Sequence, residues 1–101
     1  MYIFNTTFLV SDKLYGAWFK WLYEHHIPTM LNSGCFDKPQ VAKVMNSKSE
    51  RGTSYCVQFR VANTELLETW NLKHADIFMA DFDKRFGTDI LFFSTTLELI
   101  E

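Results

Sequence analysis

The sequence is poor in cysteine and has no long hydrophobic run. Its two cysteines, Cys35 and Cys56, lack the C-x-x-C spacing of a metal or redox site, so we expect neither a disulfide framework nor a bound metal. No stretch reaches the roughly 20 apolar residues that a membrane-spanning helix needs. The opening MYIFNTTFLV also lacks the basic start and the small cleavage-site residues of a secretory leader. These absences predict a soluble cytoplasmic protein with no membrane as a partner.

Basic residues are not in excess either. The chain has 10 Lys and Arg against 12 Asp and Glu, which gives a formal net charge of −2. Nucleic-acid binding needs clustered Lys and Arg to contact phosphates, so nucleic acid is not an expected partner. The sequence also lacks a glycine-rich phosphate loop and a Gly-x-Ser-x-Gly elbow. No motif therefore predicts a cofactor.

Aromatic residues, by contrast, are abundant. They make up 17% of the 101 residues, with ten Phe, four Tyr and three Trp, while hydrophobic residues as a whole make up an ordinary 48%. Each aromatic side chain brings a large buried area, so a chain of this length can build a core, and we expect one domain over residues 1–101. One small core does not hide so many rings, and the excess predicts an interface or a pocket.

The spacing of apolar residues predicts four strands and two helices. Strict alternation, as at Tyr55, Val57 and Phe59, indicates strands, and apolar residues at i, i+3, i+4 and i+7 indicate helices. The predicted strands are residues 2–10, 36–45, 54–61 and 89–100; one helix begins at Ser11 or Asp12 and ends near His26, and the other begins at Asn63 and ends at Phe86.

Two prolines refine these boundaries. Pro28 disfavours helical geometry at Ile27, which is why the first helix is predicted to end near His26. A short extra turn is expected over residues 28–34, with Pro28 at its start. Pro39 has no N–H for a sheet hydrogen bond, so the second strand is predicted to lie at the sheet edge or to be bulged.

The order β-α-β-β-α-β predicts a ferredoxin-like α+β fold, in which two helices cover one face of a four-stranded antiparallel sheet. This plan leaves the other face bare. A face open to water should be polar, yet the last strand has apolar residues on both faces, among them Leu91, Phe92 and Phe93. The chain has no spare element to cover them, so we expect a homodimer in which two sheets form a dimeric α+β barrel.

Four segments of the chain resemble a family of short, uncharacterised bacterial proteins. They are the opening MYIFNTTFLV, the tryptophan-rich WFKWLYEHHIPTMLNSGCF, the strand TSYCVQFRV and the helix end FDKRFG. The family is similar in turn to the dimeric α+β barrel superfamily, which includes small monooxygenases, haem-degrading enzymes, isomerases and dehalogenating or decarboxylating proteins. The resemblance implies the fold and a ligand pocket between the helices and the sheet, but it does not imply one reaction.

Histidine supplies the candidate chemistry. His25 falls on the apolar face of the first helix, one turn after Trp21 and Leu22. Because histidine titrates near neutral pH, His25 is a candidate for proton transfer or ligand contact. The alternative is a helix-terminal histidine that bonds the last carbonyl groups. His26 points about 100° away from His25 on an ideal helix, so the pair is not predicted to bind one metal ion.

Three tryptophans and His74 complete the predicted pocket. Trp18, Trp21 and Trp70 are expected to line a site for a small aromatic or apolar ligand, although aromatic residues at helical spacing also form plain core. His74 follows Trp70 by one turn and is either a ligand contact or a partly buried histidine. A His25–His74 pair is not predicted, because antiparallel helices should place His25 nearer Trp70.

Three functions remain open on the sequence alone. The leading one is a small-molecule-binding protein or a cofactor-independent enzyme, with His25 as its catalytic residue. The second is a haem-binding or haem-degrading protein, with His25 or His74 as axial ligand. The third is a purely structural homodimer with no enclosed site. A cavity bordered by His25, a wider slot that takes haemin, or a filled interior would distinguish the three.

Overall fold

The computed structural model of the chain describes residues 1–100. Within this range the chain forms strands, α-helices and one π-helical turn. In chain order they are β1 (Tyr2–Val10), α1 (Asp12–Trp21), the π-turn (Leu22–His26), α2 (Ile27–Asn32), β2 (Asp37–Lys43), β3 (Thr53–Val61), α3 (Thr64–Lys73), α4 (Ala75–Phe86) and β4 (Leu91–Glu98).

The strands form one antiparallel sheet in the order β2-β3-β1-β4. β1 lies inside the sheet, where Phe8 is opposite Tyr55 of β3 on one side and Phe92 of β4 on the other. The helices pack against one face of this sheet. This is the ferredoxin-like α+β fold that the sequence predicts.

The helix boundaries have local causes. The Ser11 hydroxyl accepts a hydrogen bond from the N–H of Leu14 at 3.3 Å, and the Asn63 side-chain oxygen accepts one from the N–H of Leu66 at 3.0 Å. Both residues are N-caps, which pair amide groups that the start of a helix leaves unpaired. Gly87 follows α4 with a φ of 55°, a left-handed value that glycine adopts without a steric penalty.

The core lies between the helices and the sheet and is dense in aromatic contacts. Phe8 packs against Trp18 with ring centroids 5.5 Å apart and against Phe82 at 5.7 Å. Burying rings of this size removes a large apolar area from water. The buried apolar side chains are Phe8, Val10, Trp18, Trp21, Leu22, Ile27, Met30, Cys35, Phe36, Val57, Phe59, Val61, Trp70, Phe82 and Ile90.

The opposite face of the sheet has no cover within residues 1–100. Leu91, Phe93 and Leu97 of β4 are exposed there, Phe93 at 62%. Beside them polar side chains cross the centre of the sheet, where the Gln58 amide donates to the side-chain oxygen of Asn5 at 3.2 Å. β4 thus carries apolar side chains on both faces, as its sequence predicts.

The first helical segment does not end near His26 as predicted. It continues through the π-turn into α2, which ends at Asn32. Pro28 lies in the first turn of α2, where proline is tolerated because its missing N–H would have no partner in that helix. Proline therefore interrupts the α-helical hydrogen bonding without ending the helical run. The extra turn predicted for residues 28–34 is present as α2.

The predicted second helix is divided at His74. α3 ends at Lys73 and α4 begins at Ala75, and His74 has a φ of −126°, outside the α-helical range. The prediction of one unbroken helix was therefore wrong. No proline or glycine lies within residues 64–86 and the apolar spacing continues across the break, so spacing alone does not reveal it.

β2 is an edge strand, as Pro39 predicts. Its pairing with β3 shifts between Asp37 and Gln40, and Lys38 has a positive φ of 48°, so the strand is also bulged at this point. Both outer strands, β2 and β4, are shorter at each end than the sequence predicts. No helix formed by residues 1–100 combines the length and the apolar character needed to cross a membrane.

Candidate functional site

A cavity of about 80 Å³ lies within the helical layer. The sequence predicted a pocket between the helices and the sheet, but the residues around this cavity come from the helical segments and from Ser33 just after α2. The cavity is therefore enclosed by helices rather than by a helix and a strand. It is lined by Trp21, His25, His26, Thr29, Met30, Ser33, Trp70, His74, Ile77, Phe78 and Asp81.

The π-turn decides which histidine faces the interior. The N–H of Ile27 bonds to the carbonyl of Leu22, five residues earlier, so this turn contains one residue more than an α-helical turn. The position one turn after Trp21 is consequently occupied by His26 and not by His25. The rings of Trp21 and His26 stack with centroids 4.7 Å apart and an interplanar angle of 18°.

His26 is almost completely buried, at 5% exposure, and aromatic rings surround it. Its ring is nearly perpendicular to those of Phe8 and Phe59, and the ring centroid of Phe78 lies 5.1 Å away. Burial, with a smaller contribution from nearby His25, lowers the pKa of His26 from 6.5 to about 4, and Asp81 acts in the opposite direction. The imidazole is therefore neutral at pH 7, with one nitrogen a donor and the other an acceptor.

His25 lies at the rim of the cavity and not on a buried helix face. Its side chain is 46% exposed, which corrects the prediction from helical spacing. Its Nε2 is 3.4 Å from an Asp81 carboxylate oxygen, a contact that becomes an ion pair when the imidazole is protonated. His25 nevertheless lines the cavity, so it remains within reach of a molecule bound there.

Asp81 is a site residue that sequence reasoning missed. It is half-buried between His25 and Arg85. The Arg85 Nε donates to both carboxylate oxygens, at 3.0 and 3.2 Å. The i, i+4 spacing of Asp81 and Arg85 was the available signal for their pairing. The contact with His25 depends on how α4 packs beside the π-turn, which spacing does not specify.

Trp70 and His74 form the opposite wall. Trp70 is buried and packs its ring against Phe36 at 5.7 Å and Phe78 at 6.2 Å. His74 is half-buried at the break between α3 and α4. His25 and His74 thus border the same cavity although the sequence did not predict that they would meet, and residues 1–100 contain no hydrogen bond between them.

Trp18 does not belong to the site. It is fully buried and packs against Phe8 at 5.5 Å and Tyr55 at 5.2 Å, on the sheet side of α1. The prediction that it lines the pocket is corrected, because the cavity begins one turn later at Trp21. The indole nitrogens of both tryptophans are buried without a hydrogen-bond partner within residues 1–100.

Residues 1–100 contain no group of three His, Cys, Asp or Glu side chains placed to hold a metal ion. Cys35 is buried and Cys56 is half-buried, and both are free thiols. Cys56 lies opposite Ala42 in the sheet. The side chains that border the cavity offer imidazole, carboxylate, hydroxyl and aromatic groups.

A second, open depression of about 370 Å³ adjoins the cavity. The two share Trp21 and His25, so these side chains lie between the enclosed space and the surface. Charged side chains border the depression, namely Lys20, Glu24 and Arg85. A small molecule that reached the cavity from this side would pass His25.

Comparison with known families gives one match, which spans nearly the whole chain. The model of a domain of unknown function (DUF4286) matches residues 1–100. Among curated proteins, no sequence matches.

Solved structures with low sequence identity share the fold. A protein proposed to be an antibiotic biosynthesis monooxygenase, from Deinococcus radiodurans, has a TM-score of 0.68 at 16% identity, over 100% of this chain and 94% of that one. A dimeric ferredoxin-like protein from an uncultured marine organism has a TM-score of 0.70 at 9% identity, over 100% and 96%. An MhuD mutant with two manganese protoporphyrin IX groups per active site has a TM-score of 0.67 at 14% identity, also over 100% and 96%. At such identities the likeness shows the fold alone.

Proposed function

The chain belongs to the family of the DUF4286 domain of unknown function, and from that premise we propose that it is a small-molecule-binding protein or a cofactor-independent enzyme that uses its helical cavity. One observation carries the proposal: three histidines and an aspartate border a single cavity whose remaining walls are largely apolar. Convergent polar groups in an apolar enclosure are the usual composition of a ligand site, and titratable groups there supply proton transfer.

We assign the proton-transfer role to His25. Its ring borders both the cavity and the open depression, so it can exchange protons with solvent and with a bound molecule. Asp81 contacts His25 through Nε2 and is itself held by Arg85, an arrangement that orients the imidazole. Trp21, Trp70 and His74 then act as walls that contact the ligand. Trp18 has no part in the proposed site.

The volume limits the ligand. A cavity of about 150 Å³ accommodates benzene, whereas this one measures about 80 Å³. The predicted small apolar or aromatic ligand therefore places only part of its structure in the cavity, and the remainder lies towards the depression beyond His25. A ring enters completely only if the walls move.

The same volume argues against haem, the second function considered from the sequence. A porphyrin is several times larger than benzene, so it does not fit beside His25 or His74 without separation of the helices. The manganese porphyrin in the MhuD mutant is a property of that protein. Haem binding is therefore an outcome of the test below and not our proposal.

We also propose that the working unit is a homodimer. The support is the uncovered sheet face, where Leu91, Phe93 and Leu97 are exposed. Isolated exposed apolar residues are common, but a stripe along one strand is typical of an interaction surface. One of the structures that shares the fold is itself dimeric.

Two further expectations stay predictions. The free thiols of Cys35 and Cys56 agree with a reducing compartment such as the cytoplasm. The net charge of −2 gives no support for a nucleic-acid partner.

Native mass spectrometry of the purified protein tests the cavity directly. We expect a mass of two chains plus a retained small molecule. Met30→Trp should displace that molecule, because Met30 is buried in the cavity wall and the larger side chain fills the space. Leu31→Trp is the matched control, since Leu31 is the next residue of α2, is partly exposed and does not line the cavity. If Met30→Trp unfolds the protein, Met30→Phe is the milder substitute.

Three results would count against the proposal. A ligand retained equally by Met30→Trp and Leu31→Trp lies elsewhere. A Soret band on adding haemin, lost in His25→Ala or His74→Ala, would favour haem instead. A bare protein whose melting temperature no small aromatic or apolar compound changes would favour the structural homodimer.

A further inference from the structure

We propose that His26 is the ligand-selecting residue of the cavity and that it exchanges a hydrogen bond with a neutral polar group of the ligand, such as a hydroxyl, a carbonyl or an amide. The inference rests on the proposed function, because it requires that the cavity hold a ligand. It goes further by naming the chemical group that the cavity accepts and the residue that recognises it.

The position of His26 is the first support. The i to i+5 hydrogen bond from Ile27 to Leu22 inserts one extra residue into the helical run and turns His26 inward. Such turns are rare and occur frequently at functional sites. A regular α-helix would have buried His25 here, so the irregular turn is what brings this imidazole to the cavity.

The second support is that the buried ring has no hydrogen-bond partner among residues 1–100. His26 is 5% exposed, lines the cavity and is packed against the rings of Trp21, Phe59 and Phe78. Buried polar groups in proteins are nearly always paired. A donor and an acceptor on one ring that faces a cavity predict a partner within the cavity.

Two other polar wall groups, Ser33 and Trp21, are less available. The Ser33 hydroxyl already donates to the carbonyl of Met30 at 2.6 Å and accepts from the N–H of Cys35 at 3.2 Å. The indole nitrogen of Trp21 is sealed from the cavity space. His26 is therefore the buried wall group with an uncommitted hydrogen-bonding capacity.

Charge decides which kind of polar group fits. A carboxylate beside His26 would be removed from water among aromatic rings, a costly transfer unless the imidazole became protonated in compensation. An ammonium group would be removed from water in the same way, and a protonated imidazole would repel it. Burial opposes that charge, since it lowers the pKa of His26 to about 4. The charged groups Asp81 and Arg85 pair with each other at the rim. The interior therefore favours a neutral group.

A matched pair of probes isolates this preference. In proportion to the cavity of about 150 Å³ that holds the six carbons of benzene, 80 Å³ holds about three or four non-hydrogen atoms. Acetamide and acetate each have four non-hydrogen atoms and nearly the same shape, but only acetate is charged at pH 7. The experiment titrates each probe into ¹⁵N-labelled protein at pH 7 and follows the ring nitrogens of His26 and the indole N–H of Trp21.

We expect acetamide to shift the His26 ring nitrogens saturably and acetate to bind at least tenfold more weakly. His26→Phe keeps an aromatic ring against Trp21 but removes both hydrogen-bonding nitrogens, so acetamide affinity should fall at least tenfold. His26→Gln restores a neutral donor and acceptor and should recover part of that affinity. Dispersed amide spectra establish that each variant is folded, and the His26→Gln comparison remains if His26→Phe is not.

Equal binding of the two probes, unchanged acetamide affinity in His26→Phe, or no saturable shift with either probe would overturn the inference. These results are separable from failure of the proposed function. A small molecule retained in native mass spectrometry and lost in Met30→Trp would keep the cavity as a ligand site even if His26 did not select its ligand.

Discussion

At the scale of single residues, the buried imidazole of His26 should couple the stability of the fold to pH. Its pKa is about 4 in the folded protein and 6.5 in the unfolded chain. The unfolded state therefore binds more protons between these values. The stabilisation from His26 is complete above pH 6.5 and is lost progressively as the pH falls to 4, a change of about 3 kcal/mol in total.

Urea denaturation at pH 7 and at pH 4.5 measures this contribution. We expect the fall in unfolding free energy of the wild type between the two pH values to exceed that of His26→Phe by about 2 kcal/mol. Carboxylates titrate in the same range in both proteins, so the comparison between the two isolates residue 26. An equal fall in unfolding free energy in the wild type and in His26→Phe would contradict the burial of a neutral His26.

The sequence predicted that His25 faces the core, whereas the structure buries His26, and this difference shows how much of the site the sequence could predict at this scale. Helical spacing predicted three of the pocket residues, and the structure brings them to one cavity: Trp21, Trp70 and His74. The buried histidine was missed by one position. Pro28 held the signal: it lacks the N–H that would bond to the carbonyl of Glu24, and its ring would collide with that carbonyl in a regular α-helix. A wider turn before Pro28 relieves both constraints.

At the scale of elements, this view of the π-turn as one inserted residue can be tested by deletion. Removing Glu24, which is exposed, together with Pro28→Ala, which removes the ring clash, should convert the turn to α-helix while α1 and α2 keep their packing, at a cost of about 1 kcal/mol. Removing the exposed Lys84 from the regular helix α4 should cost at least about 3 kcal/mol, because Phe86 then rotates by about 100° away from the core.

Chemical denaturation of the two deletion variants gives the comparison. Similar losses for both would mean that the π-turn is as intolerant of length change as a regular helix, and that the extra residue is not a local insertion. If the Glu24 deletion unfolded the protein and the Lys84 deletion did not, the π-turn would be less tolerant of a length change than the regular helix α4.

Elements differ in how far local sequence determines them. β1 has the predicted boundaries because alternation, a following N-cap at Ser11 and central pairing agree. β2 was predicted as an irregular edge strand from Pro39 alone, and it is one. The break at His74 has no local cause in the sequence, since neither proline nor glycine is near it. Tertiary packing determines where such a break occurs, and the local sequence pattern carries no information about that packing.

At the scale of the whole molecule, the chain separates two kinds of surface. The helices bury one sheet face and enclose the cavity, while the other face presents an apolar stripe on β4 beside polar side chains in the centre of the sheet. The fold and its uncovered sheet face were predicted from the order of elements and from the apolar residues on both faces of the last strand. The cavity could not be predicted in this way, because it depends on how the four α-helices and the π-turn pack together.

Phe93→Glu tests whether a second copy covers the bare face. Phe93 is 62% exposed within one chain and would be buried in a dimer, and a two-fold axis would repeat the substitution in both subunits. Two carboxylates removed from water without partners should raise the dimer dissociation constant at least about 100-fold. Leu72→Glu is the control, because Leu72 is 85% exposed on α3, on the opposite face of the sheet.

Sedimentation equilibrium gives the dissociation constants, and circular dichroism establishes that each variant is folded. We expect a dimer for the wild type and for Leu72→Glu, and a monomer for Phe93→Glu at the same concentration. The melting temperature of the wild type should also rise with protein concentration, as it does when association stabilises the folded state. A monomeric wild type, or a Phe93→Glu variant that still dimerises, would mean that another partner or solvent alone faces this sheet.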